Sequence, residues 1–508
     1  MGFHAVNWTA DTQDWKRPGI DSIVKAVDSQ ASERTVVLMH DGGGDRAQTL
    51  AALPTIIQSL RARGYQFTTV DAFDDTIASP YANRSSWSSH LRGLAIVAGF
   101  RLDMALRQVA LALLLLLAAV AGFRLLVSAP LAVTHHRKER TSRRRSEVPS
   151  AAALPTISVL VPAHNEAAVI DRTIESLLAM QPAPLEIIVI DDGSSDGTAD
   201  IASRYPVRVL RQAQAGKAHA LNRGIAEASG EVILAMDADT IVAPDLLRHM
   251  LPHFCEPTVV AVAGNVKVGN RKGLLPRLQA LEYIVSLNLD RRAQAVMGTI
   301  TVVPGAAGAF RRSALDAIGG YPTDTLVEDA DLTMALLRTG GKIRYESKAL
   351  AYTEAPQTFK DVLRQRRRWA YGTVQVAAKH RTAMTDGRSG RAGNVALPWL
   401  VLSQVLIPAL GPLVDLFLLY LWLVGNGELA LIMLGLAVAL DVVVAGVALA
   451  LDREDPRLLA WVPLMRIIWR PLQLWTATAS AARWLNGSAL SWGRLQRYRT
   501  VKIAAPAM

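Results

Sequence analysis

Two strand-forming runs, each ending in closely spaced aspartates, constrain this chain more than any other feature. Ile187-Ile188-Val189-Ile190 leads into Asp191-Asp192-Gly193-Ser194, and Val232-Ile233-Leu234-Ala235-Met236 leads into Asp237-Ala238-Asp239. Uninterrupted apolar runs of this kind read as strands buried on both faces, as in parallel sheets covered by helices. Further short apolar runs at Ile157 to Val161, Val207 to Leu210 and Val259 to Val262 alternate with helical stretches. The expected fold class is therefore α/β, a doubly wound and mostly parallel sheet over residues 156–380. Ligands bind such sheets beyond the carboxyl ends of the strands, where both acidic clusters emerge. Carboxylates at the end of an apolar strand are costly unless they hold something. Two aspartates flanking one alanine can turn toward a single cation, and hard oxygen ligands suit Mg2+ or Mn2+.

Two more segments are expected near the same edge. Val161-Pro162-Ala163-His164-Asn165-Glu166 ends a strand and opens a helix, an arrangement whose free N–H groups favour an anion. Ala215-Gly216-Lys217 sets a lysine ahead of another helix, within reach of phosphate. Plain structural readings stand beside these. Asn165 and Glu166 are ordinary helix-start residues, capping accounts for Ser195, Asp196 and Thr198, and Lys217 serves equally as a solvated charge.

Composition matters for where the apolar residues lie. A mean hydropathy of +0.21 with 51% hydrophobic and 19% charged residues requires concentration of apolar sequence in segments. Met104 to Val127 is long enough to cross a bilayer, and more apolar blocks fill residues 396–451, so a multi-pass protein of the cell membrane is expected. Spans and interfacial helices are assigned to 104–128 and 396–485, with Pro408, Gly411 and Pro412 interrupting the first C-terminal span. Arg466, Arg470 and Arg483 leave the last block either a span or an interfacial helix, and the total at four or five. A basic linker is expected at 129–155 and a basic tail at 486–508. The net charge of +11 is explained by flanks such as His135-His136-Arg137-Lys138-Glu139-Arg140, which place the domain that follows in the cytoplasm. No basic helix with interleaved aromatics accompanies that charge, which argues against nucleic acid as a partner. The single cysteine, Cys255, excludes an intrachain disulfide and a cysteine-built metal site. Met1 lies far from the first apolar run, so no cleavable signal peptide is expected.

Two further motifs give the order of the set its meaning. Val327-Glu328-Asp329 opens a helix that Gly340-Gly341 ends, and Gln365-Arg366-Arg367-Arg368-Trp369 follows. Taken in order, the motifs of residues 156–500 resemble the inverting family 2 glycosyltransferases. The Gln-x-x-Arg-Trp signature is that of their processive members, the hyaluronan, cellulose, chitin and poly-N-acetylglucosamine synthases. Val327 departs from the family's Thr-Glu-Asp. The resemblance implies a nucleotide-sugar-binding domain of glycosyltransferase A type set between transmembrane helices, making a β-linked polysaccharide from a UDP-sugar. By that resemblance Asp329 is the general base, and Gln365, Arg366, Arg368 and Trp369 are catalytic, the arginines offsetting charge on departing UDP and Trp369 facing the acceptor sugar. Pro162, Glu166, Asp191, Asp192, Lys217 and Asp237 bind the nucleotide sugar. Asp237 and Asp239 hold Mg2+ or Mn2+. Implied partners are the UDP-sugar donor, a polysaccharide acceptor, the lipid bilayer, and accessory export or deacetylase subunits. The small residues of Gly305-Ala306-Ala307-Gly308 let an acceptor sugar approach backbone.

Residues 1–75 form a separate small piece, with strands expected at Val36 to Met39 and Phe67 to Val70 and a helix from Ala47 to Arg63 capped by Gly64. Asn7-Trp8-Thr9-Ala10-Asp11-Thr12-Gln13-Asp14-Trp15 and Val37-Leu38-Met39-His40-Asp41 resemble the last two motifs of polysaccharide deacetylases, which implies Asp14 and His40 as vestigial site residues. That family's Thr-Phe-Asp-Asp and His-x-x-x-His motifs are absent from the sequence, and without metal ligands nothing activates water. The piece is expected to be a truncated, extracytoplasmic remnant. The alternative function is a membrane-anchored deacetylase, or a bifunctional enzyme of which this chain is a truncated form.

Overall fold

The computed structural model describes residues 6–73, 87–145, 154–487 and 497–501. The chain divides into two compact units, Met1–Gln108 and Val109–Met508. In the first, β1 (Ala10–Asp11) pairs in parallel with β2 (Val37–Leu38). Helices Ile20–Gln30 and Ala47–Ala62 bury Ile23 and Val27 against Ala52, Ile56 and Leu60. The second helix ends where its sequence predicts, with Gly64 at φ 86°, a backbone angle that favours glycine. The strand expected at Phe67 to Val70 does not form. Residues 65–69 are irregular, Phe67 is half exposed, and among the described residues no strand pairs with this segment.

The second unit is built on one eight-stranded sheet. Its strands are β3 (Ile157–Ala163), β4 (Glu186–Asp192), β5 (Arg208–Gln212), β6 (Val232–Ala235), β7 (Thr240–Val242), β8 (Val259–Val268), β9 (Gly308–Arg311) and β10 (Lys342–Thr353). They lie in the order β5-β4-β3-β6-β9-β8-β10-β7. The period-two alternation of the strands supplies two cores. Val159, Val161, Ile187, Val189 and Leu234 face the helix Ile170–Leu178, while Leu160, Ile188, Ile190 and Ile233 face the helix Lys217–Glu227. Each such fully buried aliphatic side chain contributes about 1.5–3 kcal/mol of transfer free energy.

The sheet is mostly parallel, as expected, but mixed: six of its eight strands share one direction, and β9 and β7 are reversed. β5, β4, β3 and β6 are parallel, as are β8 and β10, but β9 runs antiparallel to both β6 and β8, and β7 antiparallel to β10. Strand direction is set by connections that cross between distant segments, which apolar alternation does not report. The result places the ends of β3, β4 and β6, with the acidic clusters, beside the start of β9.

Residues 129–145 are helical (Ala129–Arg145), not the start of a linker. Arginine, lysine and glutamate are good helix formers, and Ala132 buries this helix against Leu289 and Val444. Residues 146–153 of the expected linker lie outside the described residues. The expected span 104–128 is helical throughout, within Trp87–Phe123 and its continuation Arg124–Ser128. Among the described residues, Ala392–Leu423 and Gly427–Asp452 are long and apolar enough to cross a membrane. The following block, 456–485, is helical but too polar for that. Its Arg466 and Arg470 pair with Asp415 and Asp441 of the two apolar helices at 2.7–3.3 Å.

Candidate active site

The loops after β3 and β4 are zipped together by short polar side chains. Asn165 takes up φ 58°, its N–H donates to Ser194 Oγ at 2.9 Å, and its Oδ1 accepts the Ser195 N–H at 2.8 Å. The Glu166 N–H donates to Thr198 Oγ1 at 2.9 Å, and Asp196 Oδ1 accepts the Thr198 N–H at 3.1 Å. Local turn and loop-to-loop bonds therefore account for Ser195, Asp196 and Thr198, and not capping as expected, because the helix Thr198–Ala202 has Gly197 at its N-cap and no side-chain cap bond. Asp192 is likewise committed locally, accepting N–H bonds from Gln212 at 2.7 Å and from Ala215 and Gly216 at 2.8 Å, which fix the loop ahead of Lys217. Asp191 differs. Its Oδ1 is buried with no hydrogen-bond partner, a polar atom left for a ligand.

Beyond the β6 end, a cavity of about 200 Å3 gathers Lys217, Asp237, Asp239, Asp329, Arg368 and Trp369. Lys217 Nζ bridges Asp237 Oδ1 at 2.7 Å and Glu328 Oε1 at 2.9 Å. Burial pushes the Asp237 carboxyl up, but Lys217 outweighs this and holds it below the usual range, while burial of the lysine is more than offset by Asp237 and Glu328. Arg497 Nη1 lies 2.6 Å from Asp239 Oδ2. Burial still raises Asp239, only partly opposed by Arg497 and reinforced by Asp237. Glu166, also buried and crowded by Asp239 and Asp237, is pushed up to about 8, although Arg497 opposes the shift. The acids are thus short of positive charge, and two neighbouring aspartates on a strand end are hard oxygen donors of the kind that would suit a divalent cation. Among the described residues there is no cluster of three or more acidic, histidine or cysteine ligands.

Asp329 sits in the first turn of the helix Glu328–Arg338, its Oδ1 accepting the Ala330 N–H at 2.9 Å and its Oδ2 the Gly305 N–H at 3.4 Å. Burial, then the adjacent Glu328, push its carboxyl up to about 6 against the pull of Lys217. Val327, where the family has threonine, packs both methyl groups onto Gly372, and a Cβ there would lie 2.7 Å from each. Gly372 belongs to the helix Phe359–Lys379, which starts at Thr358, whose Oγ1 accepts the Asp361 N–H at 3.2 Å. Gln365, Arg368 and Trp369 are three and four residues apart, share one face of this helix and line the cavity.

Arg366 turns off that face. It pairs with Glu282 at 2.5 Å and lies 4.1 Å over the Trp369 ring, lining a second cavity of about 230 Å3. This second cavity reaches Pro408, Gly411 and Asp441 of the apolar helices. Trp369, Leu287 and Gln404 line both cavities. Of the residues expected to bind the nucleotide sugar, Pro162, Glu166, Asp191 and Asp192 line neither cavity, while Lys217 and Asp237 line the first. Sequence reasoning missed Arg497, Glu328 and Glu354 as cavity residues. Glu328 was signalled by its place beside Asp329, whereas nothing local marked the other two. In the first unit the two expected residues do meet. Asp14 Oδ1 lies 2.8 Å from His40 Nδ1, and its Oδ2 accepts the His40 N–H at 2.8 Å and the Thr49 hydroxyl at 2.9 Å. Burial raises the Asp14 carboxyl, but the bonds from His40 and Thr49 outweigh it and hold the group far below the usual range.

Residues 158–319 match the family model described as glycosyl transferase family 2, so the chain carries a family 2 glycosyltransferase domain. The poly-beta-1,6-N-acetyl-D-glucosamine synthase of Staphylococcus aureus (strain COL) is 34% identical over 229 residues, 44% of this chain and 56% of the relative. That of Staphylococcus epidermidis is 34% identical over 226 residues, 43% of this chain and 55% of the relative. The chain spans about half the length of the curated relatives it matches. Among solved structures, the mannosyltransferase PcManGT from Pyrobaculum calidifontis, in complex with GDP-Man and Mn2+, superposes with a TM-score of 0.50 at 23% identity, covering 72% of this chain and 99% of that one. That likeness concerns the fold, a glycosyltransferase A type.

Proposed function

We propose that this chain is a membrane-embedded, processive glycosyltransferase that transfers N-acetylglucosamine from a UDP-sugar to a growing β-linked polysaccharide with inversion, coupled to export. The observation that carries this reading is that the cavity holding Asp237, Asp239 and Asp329 shares the Trp369 wall with a second cavity among the apolar helices. On this reading a polymer leaving the first would pass Trp369 into the second. The printed names of the staphylococcal relatives support the choice of sugar.

Asp329 takes the proton from the acceptor hydroxyl. A carboxyl raised to about 6 is a stronger base than an ordinary aspartate and remains ionised at neutral pH. Asp237 and Asp239 would hold Mg2+ or Mn2+, whose charge would offset that of the departing diphosphate; the GDP-Man and Mn2+ bound to the Pyrobaculum calidifontis mannosyltransferase are consistent with that. Lys217 and Arg368 add fixed positive charge from the protein. Asp191, with its free oxygen, and Glu166 serve the uridine end. Arg366, clamped by Glu282, backs the Trp369 ring that receives the terminal sugar. An α-linked donor gives a β-linked product. The catalytic domain is cytoplasmic, the helices 104–128, 392–423 and 427–452 span the membrane, and the N-terminal unit is extracytoplasmic.

Membranes containing the chain are incubated with radiolabelled UDP-N-acetylglucosamine and Mg2+ or Mn2+. Polymer that is lost with Asp329→Asn is expected. Failure to form polymer from this and every other UDP-sugar refutes the reading. The Asp14–His40 contact favours a second reading for the N-terminal unit alone, a deacetylase remnant without catalysis. Asp14→Asn should then leave the acetyl content of the polymer unchanged, and a rise in acetylation would make the unit active.

A further inference from the structure

We propose that Arg497 is a tethered counter-ion of the carboxylate site, occupying the position of the divalent metal until metal and donor displace it together. The inference rests on the metal reading of Asp237 and Asp239 above.

The segment 497–501 is anchored independently of Arg497. Glu354 accepts the Tyr498 N–H at 3.1 Å, the Thr500 N–H at 2.9 Å and the Thr500 hydroxyl at 2.6 Å. Arg499 pairs with Asp171 at 2.6 Å, and the Val501 side chain is buried beside Ile241 and Tyr352. These contacts deliver the Arg497 guanidinium onto Asp239 Oδ2 at 2.6 Å, with its Nε 3.6 Å from Glu166 Oε2. Among the described residues no other cation lies within 4 Å of either carboxylate. Oδ1 of Asp239 is already engaged by the Thr240 and Thr353 hydroxyls at 3.2 and 3.4 Å. A metal ion, which needs an oxygen at about 2.0–2.2 Å, therefore competes with Arg497 for Oδ2.

The fit of the guanidinium is incomplete. Arg497 Nε and Glu166 Oε2 face each other, are buried, and make no hydrogen bond. Unpaired buried polar atoms cost about 1–3 kcal/mol each, so this occupant is weaker than one that satisfies both acids. A guanidinium does not leave by losing its proton; it leaves by finding another anion. The diphosphate of the donor supplies one at the same site. Metal and nucleotide then bind with positive coupling, because each removes an obstacle to the other.

The test measures Mn2+ binding to the detergent-solubilised full chain from the electron paramagnetic resonance signal of free Mn2+, with and without UDP. Wild type should bind Mn2+ weakly alone and at least tenfold more tightly with UDP. Arg497→Gln should bind tightly without UDP and gain little from it. Arg497→Lys, which keeps the charge and the fold, should resemble wild type. Val501→Asp, which loosens the anchor and leaves Arg497 in place, should shift toward Arg497→Gln. Equal Mn2+ affinity in wild type and Arg497→Gln without UDP, lost in both on Asp239→Asn, overturns this inference and leaves the metal assignment intact. Binding that survives Asp239→Asn overturns the metal assignment itself.

Discussion

Asp329→Asn should abolish transfer and stabilise the fold, and the second effect follows from the same burial as the first. The Asp329 carboxyl is raised from 3.8 to about 6 by burial and by Glu328 beside it. A carboxyl that binds its proton more readily in the native than in the unfolded chain penalises the native state as it ionises. The penalty is absent below pH 3.8, grows between 3.8 and about 6, and is constant above. At about 1.4 kcal/mol per pH unit its ceiling is about 3 kcal/mol. The carboxylate opens onto a cavity, so solvent screening reduces this to about 1–2 kcal/mol. Asparagine keeps one oxygen for the Ala330 N–H, gives up only the long 3.4 Å bond from the Gly305 N–H to its amide nitrogen, and carries no charge. The variant should melt a few degrees above wild type at pH 7.5, with a smaller gain at pH 5, as read by scanning fluorimetry in detergent. Loss of the proposed general base should lower transfer by about 100- to 10,000-fold. Wild-type transfer should itself fall as pH drops through about 6. A variant that melts at or below wild type at pH 7.5, or gains as much at pH 5, refutes the electrostatic reasoning.

Lys217→Met should destabilise by about 2–3 kcal/mol, because Asp237 and Glu328 lose their shared cation and only the former is partly open to solvent; chemical denaturation with Lys217→Arg as control measures it. Gly305→Ala would set a methyl group 2.7 Å from Lys217 Nζ, whose flexible stem can move. The chain should fold normally by circular dichroism while the KM for donor rises several-fold, and an unchanged KM would mean that Lys217 does not serve the donor. Trp369→Ala should yield short products by size-exclusion chromatography while Trp369→Phe keeps most of their length, since a flat face is what the terminal sugar requires; full-length polymer from the alanine variant would remove Trp369 from acceptor binding.

The parts of the fold legible in the sequence were those governed by local chemistry. β3, β4 and β6 announced themselves because burial on both faces leaves an unbroken apolar run, and Ala47–Ala62 because Gly64 stops it. β7, β9 and β10 were not legible. β9 is the four-residue Gly308–Arg311, too short and too rich in small residues to carry a pattern. β10 mixes Lys342, Arg344, Glu346 and Lys348 with its apolar residues because it lies near one end of the order. The direction of β9, which makes the sheet mixed, depends on its pairing with β6 and β8 and leaves no trace in its own residues.

The site divides along the same line. Asp237, Asp239 and Asp329 lie far apart in sequence, yet each marks itself by ending a strand or opening a helix, so strand order alone brings them to one cavity. Arg366 shows where motif reading stops. It belongs to the same five-residue signature as Gln365, Arg368 and Trp369, but an α-helix turns about 100° per residue, and one step from Gln365 carries its guanidinium to Glu282 and the second cavity. Helical phase, available from the sequence, separates the residues lining the first cavity from the one that braces the Trp369 wall. Arg497 has no such phase to read. It follows no strand and opens no helix, and its partner Asp239 is reached only because Glu354 and the Val501 contact hold a tail segment against β10 and β7. A role fixed by tertiary anchoring alone is invisible in the primary structure, which is why the cation nearest Asp239 was the one the motifs did not name.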